Sequence, residues 1–361
     1  MLLTGLVALT MLVAPDSVRV TVTPATVLAA PRGGQQVLNF DFLLANPTAD
    51  TLTLDEIELV IRDDKGRFVT RRFLRAAALA TVQPASVLPP GAEGALFNPF
   101  QQFDRDTPLG RLDFTFHFRR SSSDGFVIGA TSVVPTRRLP RTTAILPMAG
   151  RLLVDDGHDF YSHHRRLDLL AGFVKAVGVT RNFERYALDL LPVDTAGRRF
   201  QGDGRRLEDW FGYAQLLVAP TAGRVVAAHG TQPDNSAPGV QDRFDPRGLS
   251  EDPFLLYGNY IVLDYGGGEF GVLGHLQPGS LLVQVGDRVR QGQAIARAGS
   301  SGSSLYPHVH YELRSAATLD ADGLPVYFTN VRRLDGAATR VEPTWFADTG
   351  DVLEAATPIR P

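Results

Sequence analysis

Short runs of alternating apolar and polar residues, broken every few positions by glycine, proline or Asx turns, constrain this chain more than any other feature. Leu112-Asp-Phe-Thr-Phe-His-Phe118 alternates without a break, as does Ser17-Val-Arg-Val-Thr-Val-Thr23. A period of two sends successive side chains to opposite faces of a strand, so one face can meet a core while the other meets water. Val37–Leu44 and Leu54–Ile61 continue the pattern, with turns at Asn46-Pro47, Asp63-Asp-Lys-Gly66 and Pro89-Pro-Gly91. Residues 17–140 therefore read as an antiparallel β-sandwich of immunoglobulin-like type. A boundary is expected within 119–145, where Ser121-Ser-Ser-Asp-Gly125 and prolines interrupt the strands. The stretch carries no catalytic constellation. His117 sits among aromatics and reads as structural, which leaves the sandwich a positioning or partner-binding role.

A chain of 361 residues has room for about two domains. A net charge of −3 gives no sign of a nucleic-acid partner. With no cysteine, any metal must be held by histidine and carboxylate. Met1–Ala14 is an apolar run too short to span a bilayer comfortably. It resembles a signal-peptide core that lacks the basic flank, so residues 1–16 read as an exported protein's leader or a buried apolar segment. There is no other membrane signal.

The second half concentrates the chemistry. Pro307-His-Val-His-Tyr-Glu312 reads as a strand that puts His308 and His310 on one face. Gly299-Ser-Ser-Gly-Ser-Ser304, just before it, is a loop whose backbone can approach a ligand closely. Alone, such a pair is more often two exposed histidines than a site. Its surroundings change that weighting. Ala219-Pro-Thr-Ala-Gly-Arg-Val-Val226 is a strand, a turn and a strand. Gly271–Leu276 is a strand ending at His275, and Val285-Gly-Asp-Arg-Val-Arg-Gln-Gly-Gln293 is a hairpin.

In that order these pieces resemble the lysostaphin/LytM-type zinc endopeptidases of peptidase family M23, over roughly residues 150–315. The resemblance implies an all-β chain: the sandwich, then a compact antiparallel metallopeptidase core of the duplicated-hybrid or barrel-sandwich type, over 145–340, with a tail at 341–361. It implies Zn2+ as cofactor and peptidoglycan peptides as substrate. It also implies a periplasmic, cell-envelope or secreted location. His310 becomes a metal ligand, and His275 and His308 the non-ligand catalytic pair. A hydrolytic zinc needs three protein ligands and an open position for water, with a histidine near enough to move a proton.

The other two ligands depart from the family's H-x-x-x-D pattern. His164-Arg-Arg-Leu-Asp168 matches it literally, but Arg185-Tyr-Ala-Leu-Asp-Leu190 resembles the metal-bearing strand more closely. The resemblance favours His164 and Asp189, with Asp168 as the alternative ligand. Asp168 otherwise reads as a cap for the helical spacing of Leu169–Val177. His163 competes with His164, and adjacent side chains point apart. Three function classes follow. One is an endopeptidase hydrolysing peptidoglycan cross-links or stems. Another is a catalytically silent binder or activator with the same fold. The third, a biotinyl- or lipoyl-type carrier, needs a lysine at the hairpin tip, where none stands. Thr195–Gly212, with Trp210, reads as a polar surface loop.

Overall fold

The computed structural model describes residues 16–82, 87–137, 139–336 and 338–357. The expected leader lies outside the described residues, except for Asp16. The chain divides into two compact units, and both are β-structures. Among the described residues, no helix is long and apolar enough to cross a membrane.

The first unit takes the chain up to Val27, then Phe40–Pro99 and Thr107–Pro135. Its main strands are β1 (Arg19–Thr23), β2 (Asp41–Ala45), β3 (Leu52–Arg62), β4 (Phe68–Arg75), β5 (Glu93–Phe97), β6 (Arg111–Arg120) and β7 (Phe126–Val133). They form two antiparallel sheets, ordered β1-β2-β5 and β7-β6-β3-β4. The alternation of β6 buries Leu112, Phe114, Phe116 and Phe118. Phe42 of the other sheet meets Phe114 and Phe116 edge-on, each at 4.9 Å between ring centroids. These rings are the sandwich filling. His117 points to the opposite face of β6, with Nε2 4.0 Å from the Glu56 carboxylate, so it is no part of the aromatic core.

The second unit comprises Leu28–Asn39, Phe100–Asp106 and Thr136 onward. The first two segments fall within the stretch expected to be sandwich. Here they supply a small sheet of Ala30–Arg32, Gln35–Val37 and Gln102–Asp104. The principal sheet is built from β8 (Arg151–Asp156), β9 (Leu188–Val193), β10 (Gly223–His229), β11 (Tyr260–Gly266), β12 (Glu269–Gly274), β13 (Val309–Arg314), β14 (Tyr327–Asp335) and β15 (Val352–Ala355). Their order is β14-β15-β8-β9-β13-β12-β11-β10. Part of the expected tail is therefore sheet: β15 lies between β14 and β8, and Trp345 is buried in the core. The helical spacing after Asp168 yields only one turn and a half, α1 (Gly172–Ala176).

β13 divides the unit by its alternation. Val309, Tyr311 and Leu313 enter the main apolar core with Leu188, Leu190, Ile261, Leu263 and Leu273. His310, Glu312 and Arg314 take the other face and are also buried. A strand buried on both faces carries polar side chains only where they find partners. That second face holds the site.

A candidate metal centre

Strand register assembles the centre. Asp156 on β8 pairs with Asp189 on β9, Asp189 with His310 on β13, and His310 with Gly274 on β12. Four adjacent strands thus place one row of residues across the sheet. A bulge between Val154 and Asp156 brings the acid into that row. His275 follows Gly274 with φ +61°, a left-handed backbone that a non-glycine residue rarely adopts. Such strain persists where the surroundings fix it. His275 N donates to Tyr257 O at 2.8 Å, and its Nδ1–H donates to Ser301 O at 2.8 Å.

The Gly299–Ser304 loop is held from behind. Asn235 Nδ2 donates to the carbonyls of Ser300, Gly302 and Ser304, and Asp234 Oδ1 accepts from Ser300 N at 2.7 Å. A Cβ at Gly258 would lie 2.4 Å from Gly302 N, so glycine is required for this close approach.

Three imidazoles face Asp189, and a fourth, His275, lies behind them. Its Oδ1 lies 3.5 Å from His164 Nε2, 3.2 Å from His310 Nδ1 and 3.3 Å from His308 Nε2. The His275 ring centroid is 4.8 Å from that of His308 and 5.9 Å from that of His310. The outer nitrogen of each ring faces an acceptor. His308 Nδ1 donates to Tyr306 O at 2.7 Å. His164 Nδ1 lies 3.3 Å from Asp156 Oδ2, and His310 Nε2 lies 3.7 Å from Glu312 Oε2. A neutral imidazole has one N–H. If the outer nitrogens carry it, the inner nitrogens turn lone pairs toward a carboxylate oxygen. His308 Nε2, His164 Nδ1 and His310 Nε2 have no hydrogen-bond partner. Acceptors converging in a buried place are what a cation satisfies.

The electrostatics agree. Burial pushes the His164 imidazole down to about 3 and holds His275 well below its usual range, so both are neutral at neutral pH. Burial opposes ionisation of Asp189, and the carboxyl is held well below the usual carboxylate range only by positive charge on His308 and His164 and hydrogen bonds from His308 and His310; with the inner nitrogens deprotonated, a bound cation would have to supply that charge. Partial burial would lower His163, yet its bond to Asp156 raises it to about 8. His163 is the largely exposed member of the adjacent pair and His164 the buried one.

Behind the row, Glu312 Oε1 accepts from Tyr257 Oη at 2.8 Å and pairs with Arg314. Arg314 also donates to Thr318 O at 3.0 Å and to Tyr257 Oη at 2.5 Å. All three residues are essentially inaccessible to solvent. The open side is a cavity of about 230 Å³ bordered by Glu184, Leu305 and Tyr306. Trp210 is more than a loop anchor: it stacks on Tyr306 at 5.1 Å and 4°, under the Arg199 guanidinium.

His164, Asp189, His275, His308 and His310 therefore come together, and all border the cavity. Asp168 does not border it. Its Oδ1 accepts from Leu170 N at 2.9 Å in a turn ahead of α1. His158 is also elsewhere, stacked on Phe346 with Nε2 2.7 Å from Ala347 O. Sequence reading missed Asp156, which with His163, His164 and Asp189 forms a group able to hold a metal ion. Only its pairing opposite Asp189 makes it visible.

Residues 213–322 match the model of peptidase family M23. The match takes in His275, His308 and His310 but stops short of His164 and Asp189. A curated relative, the murein hydrolase activator EnvC of Escherichia coli (strain K12), is 40% identical over 70 residues. These are 19% of this chain and only 16% of that protein's length. The catalytic domain of lysostaphin from Staphylococcus simulans is similar at 20% identity and a TM-score of 0.21, over 34% of this chain and 88% of that one. For the catalytic domain of EnpA from Enterococcus faecalis the values are 19% and 0.21, over 37% and 92%. The match of 213–322 and the β-strand row that carries its histidines agree: the chain carries a peptidase family M23 domain.

Proposed function

We propose that this protein is a zinc-dependent endopeptidase of the cell envelope that hydrolyses peptide bonds in peptidoglycan. The observation that carries the reading is the setting of Asp189 Oδ1, 3.5 Å from His164 Nε2 and 3.2 Å from His310 Nδ1. Ligand atoms about 2.0–2.1 Å from a tetrahedral zinc lie about 3.3 Å apart, which both separations match. His164, Asp189 and His310 would hold it.

When bound, zinc supplies a Lewis acid for the scissile carbonyl and lowers the pKa of water toward neutrality. The chain supplies the rest. Asp156 and Glu312 lie 3.3 and 3.7 Å from the outer nitrogens of His164 and His310, where they would orient the rings toward a bound ion. His275 donates Nδ1–H to Ser301 O, and His308 donates Nδ1–H to Tyr306 O. Each therefore presents Nε2 to the cavity as a proton acceptor. One takes the proton released by the attacking water, donates it in a hydrogen bond to the developing oxyanion while protonated, and gives it up to the leaving amine; the other accepts from the same water and orients it.

A second reading, a silent activator, is favoured by the stretch shared with the murein hydrolase activator EnvC. Zinc content and turnover separate the two. The endopeptidase reading expects one zinc per chain, and cleavage lost in His275→Ala while zinc is retained. One bound zinc with no cleavage by the unaltered protein would favour the activator.

A further inference from the structure

We infer that Arg199 anchors a free carboxylate on the residue that supplies the scissile nitrogen, and so selects peptidoglycan cross-linked through a diamino-dicarboxylic acid. This rests on the endopeptidase reading and adds the substrate's chemistry to it.

A short ribbon fixes the Thr195–Gly212 loop. Phe200 bridges Trp210, and Phe211 N donates to Arg199 O at 3.1 Å. Two rings then place the guanidinium: Arg199 Cζ is 5.6 Å from the Trp210 ring centroid and 5.8 Å from that of Tyr306. Asp155 ties them together, with Oδ1 3.3 Å from Arg199 Nη1 and Oδ2 accepting from Tyr306 Oη. That contact engages one of a guanidinium's five N–H donors. The Arg199 side chain is 40% exposed, against 19% for Asp155. The free part of the planar fork suits a second carboxylate, bound through two parallel hydrogen bonds. Stacking holds the fork before a substrate arrives, so little side-chain entropy is lost on binding.

The place of Arg199 beside the metal centre sets its ligand. β9 and β13 run antiparallel, so the end of β9 and the approach to β13 meet on one side of the row. Arg199 follows β9 and Tyr306 precedes β13. Tyr306 borders the cavity, its ring centroid 5.4 Å from that of His308. Glu184, which also borders the cavity, precedes β9 and so stands on the other side. A substrate carboxylate is thus disfavoured at one end of the cavity and held at the other. An extended chain covers roughly 3.3–3.6 Å per residue, so a scissile carbonyl beside His308 leaves Arg199 within reach of a carboxylate on the next residue. Peptidoglycan types differ at that residue. A cross-link through a diamino-dicarboxylic acid has a carboxylate on the carbon bonded to the scissile nitrogen. A cross-link through a lysine side chain or a glycine bridge has none there. The end of an uncross-linked stem carries one too, but cutting there releases a single amino acid.

The test uses the full zinc-loaded chain and a peptidoglycan dimer cross-linked through a diamino-dicarboxylic acid. Beside it stand the same dimer with that one carboxylate amidated and an uncross-linked pentapeptide stem. Binding is measured by calorimetry in the His308→Ala background, and kcat/KM in the unaltered one. The free carboxylate should bind about 10- to 100-fold tighter than the amide, as hydrogen bonds to a charged group allow. The same preference should appear in kcat/KM. Arg199→Gln should bring the ratio toward one in both readouts. Arg199→Lys, which keeps the charge without the fork, should retain only part of the ratio. A merely structural Arg199 would change the two dimers alike and leave the ratio as it was. Equal binding and equal cleavage of the two dimers would overturn the anchor and leave the endopeptidase intact. A preference that survives Arg199→Gln would overturn the anchor too. A binding preference lost in Arg199→Gln, without cleavage of either dimer, would support the anchor and overturn the endopeptidase. Cleavage of the stem in place of the dimers, lost in Arg199→Gln, would do the same.

Discussion

Arg314→Met tests whether a buried charge network supports the metal centre. Arg314 and Glu312 are both fully buried, and Tyr257 Oη bridges them. Methionine retains contact with the Phe183, Phe254 and Tyr257 rings that surround the guanidinium, so the loss is mainly of charge. Glu312 would keep one neutral donor, Tyr257, for a buried carboxylate. Removing one partner of a buried pair costs about 3–5 kcal/mol. For a domain of this size each kcal/mol moves Tm by about 2–4 °C, so the zinc-sensitive transition should fall by roughly 6–20 °C. Glu312→Leu in the same chain should recover much of this, because an apolar pair needs no partner. Glu312 also faces His310 Nε2, so Arg314→Met should weaken zinc binding by about 10- to 100-fold, the usual effect of a disturbed outer partner. Thermal melts with competition against a chelator read both quantities. A Tm change under 2 °C with unchanged zinc affinity would refute the reasoning, as would a double variant no more stable than Arg314→Met.

The ligand set can be tested residue by residue. His164→Ala, Asp189→Ala and His310→Ala should each purify without stoichiometric zinc, whereas His308→Ala should keep zinc and lose turnover; metal analysis beside a cleavage assay checks both. Asp168→Ala removes one turn hydrogen bond, so it should cost about 0.5–1.5 kcal/mol in urea unfolding and leave zinc content unchanged. Removing zinc with a chelator should lower Tm, since an ion present at 100 times its Kd adds about 2.7 kcal/mol to the folded state. Trp210→Ala empties the space behind Tyr306 and should cost about 3–5 kcal/mol, with kcat/KM falling as Tyr306 loses its backing.

Period-two alternation made the sandwich strands legible, because a strand such as Leu112–Phe118 records its buried face in every second residue. The order of the Ala-Pro-Thr-Ala-Gly turn, the His275 strand and the His308/His310 strand marked the second unit in the same local way. What stayed hidden depends on pairings distant in sequence. Asp156 joins the row only through a bulge opposite Asp189, 33 positions later by the numbering. The literal spacing His164–Asp168 left a choice that local sequence could not make: Asp168 Oδ1 accepts from Leu170 N in a turn ahead of α1, while β9 pairs Asp189 with His310. Alternation cannot report that Leu28–Asn39 joins the second unit, because a strand looks the same whichever sheet receives it. Val352–Ala355 lies between β14 and β8 for the same reason.

The most direct test is mass spectrometry of purified peptidoglycan incubated with the full chain, with and without a zinc chelator. The account predicts newly cut peptides that vanish with the chelator, return with added zinc and are absent for His308→Ala. Peptides released equally with and without the chelator, or none released from peptidoglycan of several chemical types by protein carrying one zinc per chain, would contradict it.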